Sequence, residues 1–237
     1  MHQHSPAMTL FTCALVMVAT TITLDGQYSL TVNKDRLINA KNEPQNWLIM
    51  NGDYTSTRYS KLTQINRDNV GDLRMVWALA LGGMQDTGRN GPESEVNPLI
   101  DNGFMYTTDG WGTVYKIDAR NPDYGDFVWI ADPGVDHEGN SSRSGGIALW
   151  EDKVLANLPD GRVIAIDRDD GEIVWDVEIA GTNEFGRRER FLTAPLVVNG
   201  KVIIHNVESI EDINKDFSVD VGLPGDAKLT LQAMIEE

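Results

Sequence analysis

Short runs of Val, Ile, Leu, Tyr and Trp recur from Trp47 onwards, broken by Gly, Asn and Asp about every ten residues. This is the pattern of many short antiparallel strands, and no long stretch with helical periodicity occurs before the C-terminus. Asn102-Gly103, Asp160-Gly161, Asp170-Gly171 and Asn199-Gly200 each lie between apolar runs. Such pairs tolerate the positive φ that tight hairpins need, so all four are expected to be turns.

The runs repeat. Gly112-Thr-Val-Tyr-Lys-Ile-Asp118 corresponds to Gly161-Arg-Val-Ile-Ala-Ile-Asp167, and each is followed by a strand closing on tryptophan, at Trp129 and Trp175. A third strand type precedes them, in 98–106, 148–155 and 195–204, with turns at 102, 151 and 199, intervals of 49 and 48 residues. Trp77 looks like the close of an earlier unit. A period in the high forties with several strands per unit predicts an all-β fold of four-stranded antiparallel blades, a β-propeller. The repeated tryptophans are expected to pack between blades. Residues 47–206 suffice for about three blades, whereas closed propellers have at least four, so the expectation is an incomplete chain or one completed by partners.

Composition narrows the picture. The net charge of −16 provides no basic footprint for nucleic acid and disfavours anionic membrane surfaces. The only cysteine, Cys13, lies in the apolar stretch Met8 to Leu24, so the remainder can form no internal disulfide. That stretch, within residues 1–26, reads as a secretory signal and implies a periplasmic protein, with an uncleaved N-terminal anchor or a misassigned start as alternatives. Residues 27–46 read as a linker.

One block is more specific. Trp47-Leu-Ile-Met-Asn-Gly-Asp-Tyr-Thr-Ser-Thr-Arg-Tyr-Ser60, continuing through Lys61-Leu-Thr-Gln-Ile-Asn66 and Asn69-Val70 to Trp77, resembles the opening of the PQQ-dependent alcohol dehydrogenases. The 161–175 and 194–204 segments are similar to that family's blade repeat. The resemblance implies three blades of an eight-bladed propeller that carries PQQ beside Ca²⁺ or a lanthanide. It also implies oxidation of primary alcohols to aldehydes by hydride transfer to the quinone, with a cytochrome c-type electron acceptor. A hard cation of that kind takes oxygen ligands.

The resemblance places Glu95 where the family has a glutamate touching the cofactor. It places Thr193 beside a cofactor-contacting threonine, although Leu192 occupies the matching position. Two departures stand out: Ser141 and Ser142 occur near the family's adjacent cysteines, and Gly145 stands at its arginine, with Arg143 two residues earlier. Glu208 and Glu211 do not align cleanly with the family's metal-binding glutamate, and the resemblance puts the remaining metal ligands and the catalytic aspartate in further blades, so no metal-binding or catalytic residue is assigned. The departures leave a second reading open, a non-catalytic propeller scaffold that mediates protein contacts.

Residues 207–237 lack the repeat and resemble the end of the central domain of thiamine-diphosphate enzymes. A short C-terminal helix capped by Asp226 is expected there, either as a divergent end or as the trace of a fused reading frame.

Overall fold

A computed structural model describes residues 31–82, 93–94, 96–138, 143–180 and 193–204, with backbone alone at 93–94 and 143–144. The chain divides into two units, Met1–Leu30 and Thr31–Glu237. The first, with the signal-like segment, lies outside the described residues, as does the tail 207–237 with its expected helix.

After a short helix, α1 (Lys34–Ile38), irregular chain with two 3-10 turns, Ala40–Asn42 and Val70–Asp72, runs to residue 82, and the rest of the described chain is built of strands. A two-residue strand β1 (Glu93–Ser94) precedes the first four-stranded sheet, β2 (Leu99–Asp101), β3 (Phe104–Thr108), β4 (Val114–Asp118) and β5 (Asp126–Ala131). A second short strand, β6 (Arg143–Ser144), precedes the second sheet, β7 (Ile147–Trp150), β8 (Lys153–Asn157), β9 (Arg162–Asp167) and β10 (Ile173–Glu178). Both sheets are antiparallel meanders, as expected of propeller blades. A third unit begins with the hairpin β11 (Leu196–Val198) and β12 (Lys201–Ile203).

The four glycine-containing pairs named above are all turns, and Asn102 and Asn199 take φ of +54° and +49°. The second blade's equivalent hairpin has Glu151 at φ +50°, a conformation that a glutamate side chain does not favour.

Alternation along the strands explains how blades stack. In the second blade Ile147, Leu149, Val154, Ala156, Ile164 and Ile166 share a core with Tyr106, Val114 and Trp129 of the first. The intervening residues Ala148, Leu155 and Ala165 pack instead with Val197 of the third. The centre of β9 is therefore buried on both faces, and its sequence is a continuous apolar run for that reason.

Polar contacts lock the first joint. Trp129 Nε1 and Lys116 Nζ, both from the first blade, donate to the Arg168 carbonyl in the second, at 3.0 and 2.5 Å. In return the Arg168 guanidinium reaches Asp101 at 2.5 Å. Asp101 is 1% exposed and also binds Arg36 of α1 at 2.7 Å, while Arg36 pairs with Glu43 at 2.6 Å.

The segment expected as a linker contains α1, capped by the Asn33 side chain, with Arg36 and Leu37 buried. Residues 31–54 form a strap that touches each of the three blades among the described residues. Val32 bridges Glu151, Trp47 bridges Ile100 on the free edge of β2, and the Tyr54 hydroxyl donates to the Val197 carbonyl at 2.5 Å. Burial pushes the Tyr54 phenol up to about 12. Trp77, expected to close an earlier strand, lies in extended chain without strand pairing, although its ring packs on the first blade. A Cβ on Gly125 would sit 2.9 Å from Trp77 Cη2.

Candidate functional site

Each blade starts at its inner strand, and these starts converge. Glu93 and Ser94 pair in parallel with Arg143 and Ser144. A Cβ on Gly146, ahead of β7, would lie 3.1 Å from Ala194 Cβ, ahead of β11, and 3.7 Å from Val96 Cγ1, ahead of β2. Three successive blades thus bring corresponding ends together, with glycine where the backbones are closest.

One of the expected cofactor positions, Thr193, falls at this convergence. Glu95 lies in sequence between Ser94 and Val96 but outside the described residues. Thr193 precedes Ala194, is exposed, and accepts a hydrogen bond on its carbonyl from Asn157 Nδ2 at 2.7 Å. Gly145, at the family's arginine position, is buried beside Gly146. The Arg143 backbone pairs with Glu93, and its side chain is outside the description, as are Ser141, Ser142, Leu192, Glu208 and Glu211.

Strands returning to this end bring buried polar groups with them. Thr108 closes β3, Asn157 closes β8, and both are completely buried. Asp109 organises the turn after β3: its carboxylate accepts from the Trp111 and Thr113 amides at 2.9 and 3.0 Å and from the Tyr115 hydroxyl at 2.9 Å. Burial, followed by this bond to Asp109, pushes the Tyr115 phenol up to about 12. Trp111 stacks on His137 with ring centroids 3.9 Å apart.

Two buried atoms at this end have no partner among the described residues, the donor Trp111 Nε1 and the acceptor Asn157 Oδ1. A third, Arg168 Nε, lies at the opposite, hairpin end. Buried polar atoms are normally satisfied, so an open donor and an open acceptor at the same end of the blades as the converging backbones fit a polar ligand. For a metal the picture differs: among the described residues, no group of three or more His, Cys, Asp or Glu side chains could hold an ion.

Neither Trp111 nor Asn157 was singled out from sequence. The available signal was polar: in the Val-Leu-Ala-Asn157 run an amide interrupts an apolar strand just before its turn.

Comparison with known proteins agrees with this architecture. Residues 47–217 match the family described as the glucose/ethanol/alcohol dehydrogenase β-propeller domain, PQQ. The quinohemoprotein alcohol dehydrogenase ADH-IIG of Pseudomonas putida is 35% identical over 85% of this chain and 27% of its own length. The dehydrogenase subunit of the quinone alcohol dehydrogenase of Gluconacetobacter polyoxogenes is 37% identical over 73% and 23%. The chain therefore spans about a quarter of the length of these curated relatives. Among solved structures, the P. putida enzyme superposes with a TM-score of 0.64 at 35% identity, covering 73% of this chain and 24% of that one. The Comamonas testosteroni quinohemoprotein alcohol dehydrogenase gives 0.62 at 34%, covering 73% and 25%. With converging blade starts, a strapped propeller arc and a family match over most of its length, this chain belongs to the PQQ-dependent alcohol dehydrogenase β-propeller family.

Proposed function

We propose that this chain is the N-terminal arc of a periplasmic PQQ-dependent oxidoreductase that oxidises primary alcohols to aldehydes. The observation that carries the reading is the convergence of three blade starts, with an unpaired buried donor and acceptor at the same end of the blades. A planar, polar, multiply charged quinone suits such a place. In this reading Glu95 and Thr193 contact the quinone rim and orient it. Trp111 Nε1 is a donor available to a ligand carboxylate, and Asp109 holds its turn in place. When bound, the cofactor supplies hydride acceptance at a carbonyl polarised by a hard metal ion, Ca²⁺ or a lanthanide. No metal-binding or catalytic residue is assigned in this arc.

Three features of the relatives support the reading. Those named above are alcohol dehydrogenases, and one further relative is a lanthanide-dependent methanol dehydrogenase from Methylacidiphilum fumariolicum. The quinohemoprotein names favour a haem-type electron acceptor for the whole protein. Residues 1–26 act as the export signal, 47–206 form the propeller arc, and 207–237 are a separate tail.

Titrating the purified chain with PQQ and Ca²⁺ tests the proposal, followed by quinone absorbance and dye-linked ethanol oxidation. Saturable binding is the expected result. No binding with either Ca²⁺ or a lanthanide would overturn it and leave the scaffold reading, which Gly145 in place of arginine favours.

A further inference from the structure

Asn157 connects the second and third blades with one half of its amide and leaves the other half open. Its side chain is completely buried at the end of β8. Nδ2 donates to the Thr193 carbonyl at 2.7 Å, while Oδ1 has no donor among the described residues. Ala156 pairs with Ile147, the residue after Gly146, so Asn157 stands at the end where the blade starts converge. An apolar side chain of similar volume would fill this space, bury no open acceptor, and take a donor only from the carbonyl of the exposed Thr193. The amide therefore needs a reason beyond packing.

Building on the PQQ reading above, we propose that Asn157 is a positioning residue of the cofactor site. Its NH₂ group fixes the Thr193 backbone, and its oxygen receives a donor that arrives with the ligand. The buried amide is half-satisfied in the free chain and fully satisfied in the complex, so part of the binding energy is drawn from this one side chain. Holding Thr193 from behind also removes freedom that the segment would otherwise lose on binding.

The test uses the full chain, with PQQ and Ca²⁺ as the probe and quenching of tryptophan fluorescence as the readout. Asn157→Leu removes both halves of the interaction, and about tenfold weaker PQQ binding is expected, with the melting temperature of the cofactor-free chain shifted by only a few degrees. Asn157→Asp keeps an acceptor but sets a carboxylate against the Thr193 carbonyl. Its affinity relative to wild type should be low at pH 8 and recover towards pH 5, as the carboxyl regains a proton and again donates to Thr193. Hydrogen exchange at Leu196–Val198 should rise in both variants at pH 8 without cofactor.

Wild-type affinity in both variants would overturn the role of Asn157 while leaving the PQQ reading intact. A pH-independent loss in Asn157→Asp would overturn the donor role. If Asn157→Leu fails to fold, the Asn157→Asp profile decides. Failure of the wild-type chain to bind PQQ would overturn both proposals together.

Discussion

Trp129 and Trp175 close the outer strands of successive blades at matching positions, opposite Lys116 and Ala165. Trp129 is 8% exposed and Trp175 38%. Trp129 rests on the turn of the next blade, donates its indole N–H to Arg168, and tilts against Tyr106 at 6.3 Å. Around Trp175 the strand is exposed along its whole length, with Ile173, Val174 and Val177 among its open apolar residues. The same residue in the same place is buried in one blade and open in the next. The polar joint is not repeated either: Asp101, Tyr106 and Lys116 of the first blade correspond, one period later, to Trp150, Leu155 and Ala165. Blade geometry recurs along this chain, and the chemistry of each joint is particular to it.

The sharpest way to break this comparison is to truncate both tryptophans. Trp129→Ala should cost about 3–5 kcal/mol, as expected for a large buried aromatic. Trp175→Ala should cost less than about 1 kcal/mol, because little of its burial is lost. Denaturant midpoints at neutral pH measure both. Equal losses would mean that the burial contrast does not govern the joint.

The turn under Trp129 offers a second test. Gly171 has φ +82°, and a Cβ there would lie 2.8 Å from the indole Cγ. Gly134 has φ +64° with nothing within 4 Å. Gly134→Ala should cost only the left-handed penalty of about 1–2 kcal/mol. Gly171→Ala should add a clash with a side chain that is itself held, for a total of about 2–4 kcal/mol. If the two cost the same, the close approach of Trp129 is unimportant.

These contrasts also mark what was legible in the sequence. Strand order and the Asn-Gly and Asp-Gly turns follow from local chemistry repeated at a fixed period, and so did the packing role of Trp129. The Arg36–Asp101–Arg168 joint was not legible. Its members lie 65 and 67 residues apart and follow no repeat, so only the folded chain brings them together. The folded role of residues 31–46 was missed for a related reason. A five-residue helix has too little periodicity to announce itself, and its stability comes from docking Leu37 and Arg36. At the candidate site, Thr193 came from family resemblance, whereas Asn157, a lone amide in an apolar run, gained its meaning from its missing partner.

Strap and blades can be separated by pH. Tyr54 ties the strap to the third blade, and burial raises its phenol to about 12 from an ordinary 10. With the folded pKa above the unfolded one, this contribution is complete below pH 10 and is lost as pH rises from about 10 to 12. Tyr54→Phe should cost about 1 kcal/mol at pH 7 through the lost hydrogen bond. It should also flatten the alkaline decline in stability over that window, apart from the parts due to Tyr115 and Tyr106, whose phenols burial also raises. An unchanged alkaline limb would assign the decline elsewhere in the blades.

The smallest expected effect tests the blades at their hairpins. Asn102-Gly103 and Asn199-Gly200 suit the left-handed backbone, but the second blade uses Glu151 at φ +50°. A glutamate there pays a steric cost that asparagine largely avoids through its short polar side chain. What Glu151 contributes in exchange is backbone: it donates to and accepts from Val32 at 2.7 and 3.1 Å, and its carbonyl also takes Arg168 Nη1 at 3.0 Å. None of those bonds needs the carboxylate. Glu151→Asn should therefore stabilise the chain by a few tenths of a kcal/mol, up to about 1, read as a higher denaturant midpoint with an unchanged slope. A destabilisation would mean that the strap has selected Glu151 for its side chain. The second blade's hairpin would then differ from its two neighbours by function within the joint, rather than by tolerated strain.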